Sequence, residues 1–137
     1  MAEADRGQLS LTMVEAGIGV LLLFAATATF ALGLPAVGAD EAQLDAYAED
    51  AGTVLSREPP RHEGLTRLSE VTRSGSAFER ERAALSHRVE RILPGNLMYR
   101  VVTPHGAVGF PRPPDAPTGR ATVPTVGGRV TIWVWYA

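Results

Sequence analysis

The stretch ILPGNLMYRVVT, residues 92–103, contains the point at which the hydrophobic pattern of the chain changes. Before it, apolar residues recur at steps of three and four, which is typical of helices with one buried face. After it, residues 97–103 are rich in β-forming types with a period of two, and Pro94-Gly95 ends the preceding helix. The pattern therefore predicts an α+β fold in which helices come first and a small antiparallel sheet follows.

Four strands are predicted downstream of the change, over residues 97–103, 107–110, 120–126 and 129–136. Gly127-Gly128 is a two-residue hairpin signal, and Pro124 restricts its strand to the edge of a sheet. On the last strand Trp133 and Trp135 share one face. Three interpretations of that face stay open: a contact between subunits, a contact with lipid headgroups, or burial beneath the proline-rich loop 111–117.

Three helices are predicted upstream of the change, over residues 40–57, 64–73 and 76–93. Asp40 is a suitable N-cap for the first helix, and Leu65 is expected on the apolar side of the second. Ser76 and Glu79 have the spacing of a capping box at the start of the third. The charged residues of that third helix are predicted to form a solvated surface; they are Glu79, Arg80, Glu81, Arg82, Arg88, Glu90 and Arg91.

Composition argues against most kinds of chemistry in these 137 residues. The chain has no cysteine, which excludes disulfides, thiolate metal ligands and a cysteine nucleophile. His62, His87 and His105 stand far apart, and no phosphate-binding glycine loop or nucleophile elbow is present. A formal net charge of -2 gives no reason to expect a nucleic-acid surface. We therefore expect no enzyme, cofactor or metal site.

The N-terminal region carries an apolar run from Ala16 to Leu34 with no formal charge. Nineteen residues at 1.5 Å per residue make a helix of about 28 Å, close to the ~30 Å hydrocarbon core of a bilayer. Pro35 would end that helix. The run from Ala16 to Leu34 is accordingly predicted to form a single membrane-spanning helix, with Glu15 near its threshold.

Three interpretations of this region compete. A secretory signal would be cut after Val37-Gly38-Ala39, but the apolar run is longer than usual and the residues before it sum to a negative charge. A plain signal anchor fits the length and leaves Arg6-Gly7-Gln8 without a role. The third interpretation gives that tripeptide a role.

The residues Arg6-Gly7-Gln8-Leu9-Ser10-Leu11, followed by Glu15 and the apolar helix, resemble the class III signal of archaeal type IV prepilins. The whole chain is also similar to small uncharacterised haloarchaeal pilin-like proteins, in stretches such as residues 43–51 and 92–99. The resemblance implies that a prepilin peptidase removes residues 1–7 by cutting between Gly7 and Gln8. It further implies a retained assembly helix over residues 8–35 and an extracytoplasmic domain over residues 36–137.

The same resemblance implies the other partners: a secretion ATPase with its membrane platform protein, other pilin-like subunits, and membrane lipid. Glu15 would be an assembly contact, although it would be the eighth residue of the mature chain where many type IV pilins have their acid at the fifth. Independently of the resemblance, Ala25, Thr29 and Gly33 form a stripe of small residues that allows close helix packing.

The sequence thus predicts a structural pilin-like subunit of an archaeal type IV pilus-like filament. It would be a single-pass protein of the cell membrane with its C-terminal domain outside, and in assembled form part of a cell-surface filament. Two alternatives stay open. One is a secreted or membrane-anchored extracytoplasmic binding module, and the other is an accessory subunit of a membrane complex that forms no filament.

Overall fold

The structure, a computed structural model, describes the backbone of residues 2–31 and 38–137, and the side chains of residues 12–28 and 38–137. Internal contacts divide the chain into two units, Met1–Ala36 and Val37–Ala137. The first unit contains one helix, α1, which spans Ala2–Ala31. The second contains three helices followed by four strands, in the order that the change of period predicts.

The helices of the second unit are α2, Ala39–Arg57; α3, Arg67–Val71; and α4, Gly75–Ile92. Helix α2 forms because its apolar residues recur on one face, and that face is buried at Leu44, Ala48, Ala51 and Leu55. Helix α3 is a single short turn held by a capping box, in which the Thr66 hydroxyl and the Ser69 side chain each accept a backbone amide. Helices α2 and α4 contact the sheet, and α3 packs against both of these helices.

The strands are β1, Leu97–Thr103; β2, Gly106–Gly109; β3, Gly119–Thr125; and β4, Gly128–Tyr136. They form one antiparallel sheet in the order β2-β1-β4-β3. The predicted α+β class and the four-stranded antiparallel sheet are therefore confirmed. Strand β3 lies at an edge, as Pro124 requires, because proline cannot donate to a ladder on both sides.

The core lies between the helices and the inner face of the sheet. Its largest side chains come from α2, α3, α4 and from alternate positions of β1 and β4. Phe78 of α4 and Ile132 of β4 are both almost completely buried, as are Leu85 and Val101. Tyr99 joins the two layers, since its buried hydroxyl donates to the Ser86 carbonyl oxygen at 3.2 Å.

Several local predictions are wrong. Ser76 does not cap α4: the cap is Ser74, whose Oγ accepts the Ala77 amide at 3.0 Å. Ser74 has the extended backbone that a cap needs, whereas Ser76 is already helical. Likewise Asp40 is not the cap of α2, which begins one residue earlier after Gly38, and Asp40 lies in the first turn where its charge still favours the helix.

Two further predictions differ from the structure. Leu65 lies before α3 and is 83% exposed, because the helix begins only at Arg67. The turn between β3 and β4 consists of Val126-Gly127 and not of Gly127-Gly128, since Thr125 pairs with Gly128. Gly128 instead opens β4 with φ +126°, a conformation that favours glycine.

Candidate functional site

The predicted site residues of the first unit lie along α1 or beyond it. Gly7 and Gln8 are in α1 by their backbone, so the predicted cut falls within a helical stretch. Glu15 and Ala25 are exposed residues of α1. Thr29 belongs to α1 by its backbone alone, and Gly33 lies outside the described residues.

The described side chains of α1 are all exposed, and most are apolar. Eight large apolar side chains have exposed fractions between 54% and 76%; they are Met13, Val14, Ile18, Val20, Leu21, Leu22, Leu23 and Phe24. They occur on every side of the helix, so α1 does not have the single apolar face by which a helix joins a globular core. A run of exposed apolar side chains of this size marks a surface that binds other molecules.

The sequence predicts a membrane-spanning helix within residues 8–35, and the helices of the structure bear on this prediction. Within residues 2–31 and 38–137, the structure contains no helix whose length and apolar character suffice to cross a membrane. The membrane-spanning helix therefore stays a prediction.

The second unit contains one cluster of charged residues that the sequence did not predict. It is centred on the loop between α2 and α3, residues 58–66, which we call the α2–α3 loop. The ends of this loop are joined because the Arg67 amide donates to the Glu58 carbonyl oxygen at 3.0 Å. The Glu58 carboxylate also pairs with Arg67 and Arg88, so the neck of the loop is fixed to α4.

Glu70 of α3 holds the centre of the α2–α3 loop. Its Oε2 accepts the Arg61 amide at 2.7 Å, and its Oε1 accepts the amides of His62 and Glu63 at 3.0 and 3.2 Å. Its side chain is only 1% exposed. Burial raises the pKa of Glu70, but the three amide hydrogen bonds and the nearby His62 outweigh burial, and the net pKa lies below the ordinary value.

Glu81 of α4 closes the cluster from the other side. Its Oε1 lies 2.8 Å from His62 Nδ1, and its Oε2 accepts from Arg61 at 3.3 Å. Arg80 Nε approaches Glu81 Oε1 at 3.4 Å. The Glu81 side chain is 2% exposed, so the prediction of a solvated surface for α4 is wrong at this residue. Arg82 and Glu79 are exposed as predicted and pair with each other at 3.4 Å.

The cluster has the residue types of a metal site, since ligand atoms of His62, Glu70 and Glu81 lie within 4.8 Å of one another. The surrounding donors make it a poor one. Both oxygens of Glu70 already accept backbone amides, and Glu81 is neutralised by two guanidinium groups. A cation would have to displace those donors and would be repelled by Arg61 and Arg80. The arrangement fixes a loop against two helices.

One sequence signal could have revealed Glu81. It falls in the series Ala77, Glu81, Leu85, Val89, whose spacing of four residues places it in the buried stripe of α4. Glu70 gave no comparable signal, because its partners are backbone amides in a loop without regular structure.

The outer face of the sheet carries the second feature of this unit. Trp133 is half-buried, and the guanidinium carbons of Arg112 and Arg120 lie 4.1 and 5.5 Å from the centre of its rings. Arg112 belongs to the proline-rich loop, which therefore covers part of Trp133, while Trp135 is buried. Burial of both tryptophans beneath this loop therefore does not hold for Trp133, which is half-buried beside Arg112, and contacts with a subunit or with lipid stay predictions.

Comparison with known proteins gives one finding. No curated protein and no solved structure matches the chain significantly. A family of unknown function, DUF7262, matches it over residues 5–136, which is nearly its whole length and includes both α1 and the α+β unit. The chain therefore belongs to the DUF7262 family.

Proposed function

We propose that the protein is a structural subunit of a filament or related assembly of the archaeal type IV pilus kind, joined to its neighbours through α1. One observation carries the proposal: α1 exposes large apolar side chains on every side. Such a helix is unfavourable in water at about 25 cal/mol for each Å² of apolar surface. It requires lipid, other helices, or both, and assembled pilin-like subunits offer both.

The leader motif supports the same proposal. Residues 6–11 with Glu15 have the order of a class III signal, and they stand before the apolar stretch, where a cut leaves that stretch in place. The mature protein would begin at Gln8, stay in the membrane by residues 8–35, and present residues 36–137 outside. A prepilin peptidase, a secretion ATPase with its platform protein, and sister subunits are the partners that this function requires.

The mass of the mature protein, isolated from cells that carry the peptidase, tests the proposal. We expect a protein that lacks residues 1–7. Loss of residues 1–39 would instead indicate a secreted module, and an uncut chain would indicate a plain anchor; either result would overturn the proposal.

A matched pair of variants makes the test specific. Gly7→Val should keep residues 1–7, because the side chain blocks the peptidase at the cut. Gly17→Val is the same exchange ten residues further along, at a position where an added Cβ meets nothing within 4 Å. It should still be cut. Equal processing of the two variants would contradict a cut at Gly7.

A further inference from the structure

Charge is unevenly distributed over the second unit. Helix α2 contains five acids, Asp40, Glu41, Asp45, Glu49 and Asp50, and Arg57 is its only base. Residues 91–137 contain five arginines, Arg91, Arg100, Arg112, Arg120 and Arg129, and Asp115 is their only acid. The five acids of α2 are all exposed. Helix α2 is therefore acidic, and the strands with their loops are basic.

Four of these arginines belong to one surface. Arg100 and Arg120 both pair in register with Trp133, so the three side chains lie on the outer face of the sheet. Arg129 is on that face four residues before Trp133, and Arg112 lies over the Trp133 ring. We call this surface, consisting of Arg100, Arg112, Arg120, Arg129 and Trp133, the arginine face.

Among the described residues, neither surface forms an ion pair within one copy, although the two adjoin where Asp45 and Glu49 lie beside Arg120. All the ion pairs between described residues join partners in the range 58–88. In the described part of the chain, no acid of α2 and no arginine of the arginine face takes part in an ion pair. Asp45 is engaged differently, since its Oδ1 accepts the backbone amide of Arg120 at 2.8 Å.

The two surfaces also match in length. Glu41, Asp45 and Glu49 are four residues apart and form one stripe along α2, about 12 Å from end to end at 1.5 Å per residue. On β4 the distance from Arg129 to Trp133 is about 13 Å at 3.3 Å per residue. Carboxylates placed on such a stripe can meet guanidinium groups at both ends of the arginine face, and guanidinium is the side chain best suited to carboxylates.

We propose that the arginine face of one copy binds the acidic stripe of α2 in a second copy of this chain. The inference rests on the proposed function, because an assembly held by α1 would bring copies to a high local concentration. The contact is heterologous: each copy uses one surface toward one neighbour and the other surface toward the next. Contacts of that kind continue from copy to copy and so extend a filament.

The test uses full-length protein in detergent and measures self-association by sedimentation at low ionic strength. In the face variant, Arg112→Glu and Arg129→Glu reverse the arginine face; in the helix variant, Glu41→Arg and Glu49→Arg reverse the stripe. Each variant alone should associate about tenfold more weakly than the unchanged protein, since like charges then meet. An equimolar mixture of the two should recover the association, because the reversed face of one variant is complementary to the reversed stripe of the other.

The control reverses two exposed arginines of α4, outside both proposed surfaces, Arg82→Glu and Arg91→Glu, and should associate as the unchanged protein does. Thermal unfolding of each variant checks that the variant is folded. Helix α1 is the same in every protein, so association through α1 alone is common to all of them. Undiminished association of both variants, or no recovery in the mixture, would overturn the proposal.

A polyanion is the alternative occupant. If the face variant loses retention on immobilised heparin while its self-association is unchanged, the arginine face binds a polyanion and the proposal is wrong. These results are separable from those on the proposed function. Removal of residues 1–7 and association through α1 can both persist when the charge reversals have no effect.

Discussion

Glu70 is a buried carboxylate that fixes the α2–α3 loop, so its substitution should lower stability. Its carboxylate accepts three consecutive loop amides, and an amide side chain at that position has only one acceptor oxygen. We expect Glu70→Gln to lower the free energy of unfolding by about 2–4 kcal/mol, because charged hydrogen bonds are lost and a buried amide is left unsatisfied. Urea unfolding at pH 7 measures the change. Glu63→Gln, at an exposed residue paired only with Arg73, is the control and should change stability little.

Glu70 also predicts how stability depends on pH. Its pKa is lower in the folded than in the unfolded protein, so its contribution is fully present above the unfolded value of about 4.3 and is lost as pH falls through the folded value. Unfolding temperatures between about pH 3 and pH 7 should therefore fall more steeply toward acid in the unchanged protein than in Glu70→Gln. Parallel curves for the two proteins would contradict this role of Glu70.

Gly127 is fixed by close packing and not by its dihedral angles. An added Cβ would lie 2.2 Å from the Thr72 carbonyl oxygen, which also accepts from His105 Nε2 at 3.1 Å. Since that carbonyl cannot move without disturbing α3, Gly127→Ala should cost about 1–3 kcal/mol of stability. Gly95→Ala is the matched control, because a Cβ there meets nothing within 4 Å. Similar unfolding midpoints for the two variants would show that the turn at Gly127 can move away from the Thr72 carbonyl oxygen without loss of stability.

At the scale of the element, β3 is an edge strand with two features that prevent it from pairing with a strand of another molecule. The Arg120 amide points away from the sheet and donates to Asp45. Alternate residues of an edge strand face the same way, so an amide at position 124 would also point away from the sheet, but Pro124 has none. We expect the double variant Asp45→Ala and Pro124→Thr to aggregate at a lower protein concentration, because two edge amides become free to pair with another strand. Light scattering against concentration measures this.

The control for the edge places the same two exchanges elsewhere on the surface, as Asp50→Ala and Pro114→Thr. Both positions are exposed, and neither lies on β3. If the control aggregates as readily as the edge variant, then the loss of a charge and a proline anywhere on the surface explains the aggregation. The free amides of β3 would then not be its cause.

The elements were predictable from sequence because burial repeats with the period of each element. Strand β1 has the predicted bounds, 97–103, and the other strands lie one residue earlier at each end or nearly so. The helix starts were less predictable, since Ser74 and Ser76 are both good caps and only the backbone distinguishes them. The loop cluster was predictable only in part. Glu81 falls in the buried stripe of α4, but Glu70 is covered by residues 61–63, which is a tertiary contact without a local pattern.

At the scale of the whole molecule, the two units have opposite surface chemistry. The α+β unit buries its large apolar side chains, with exceptions such as Leu65 and Val126, and its exterior is charged. Helix α1 exposes its large apolar side chains throughout the described range. The first unit thus presents an apolar surface, and the second presents a charged one. This division is the one that the proposed assembly through α1 requires.

The small-residue stripe of the first unit gives the last prediction. If Ala25, Thr29 and Gly33 allow close packing of neighbouring helices, changing all three to Leu should weaken co-purification of sister subunits by about tenfold, which corresponds to the ~1–2 kcal/mol of such helix contacts. The larger side chains add apolar surface, so retention in the membrane should not fall. The control changes Ala16, Thr27 and Ala31 to Leu, a set of small residues that the period of 3.6 residues per turn places opposite the stripe. Sister subunits that co-purify equally with both triple variants would show that packing does not depend on the stripe, and assembly through α1 would then need a different face of the helix.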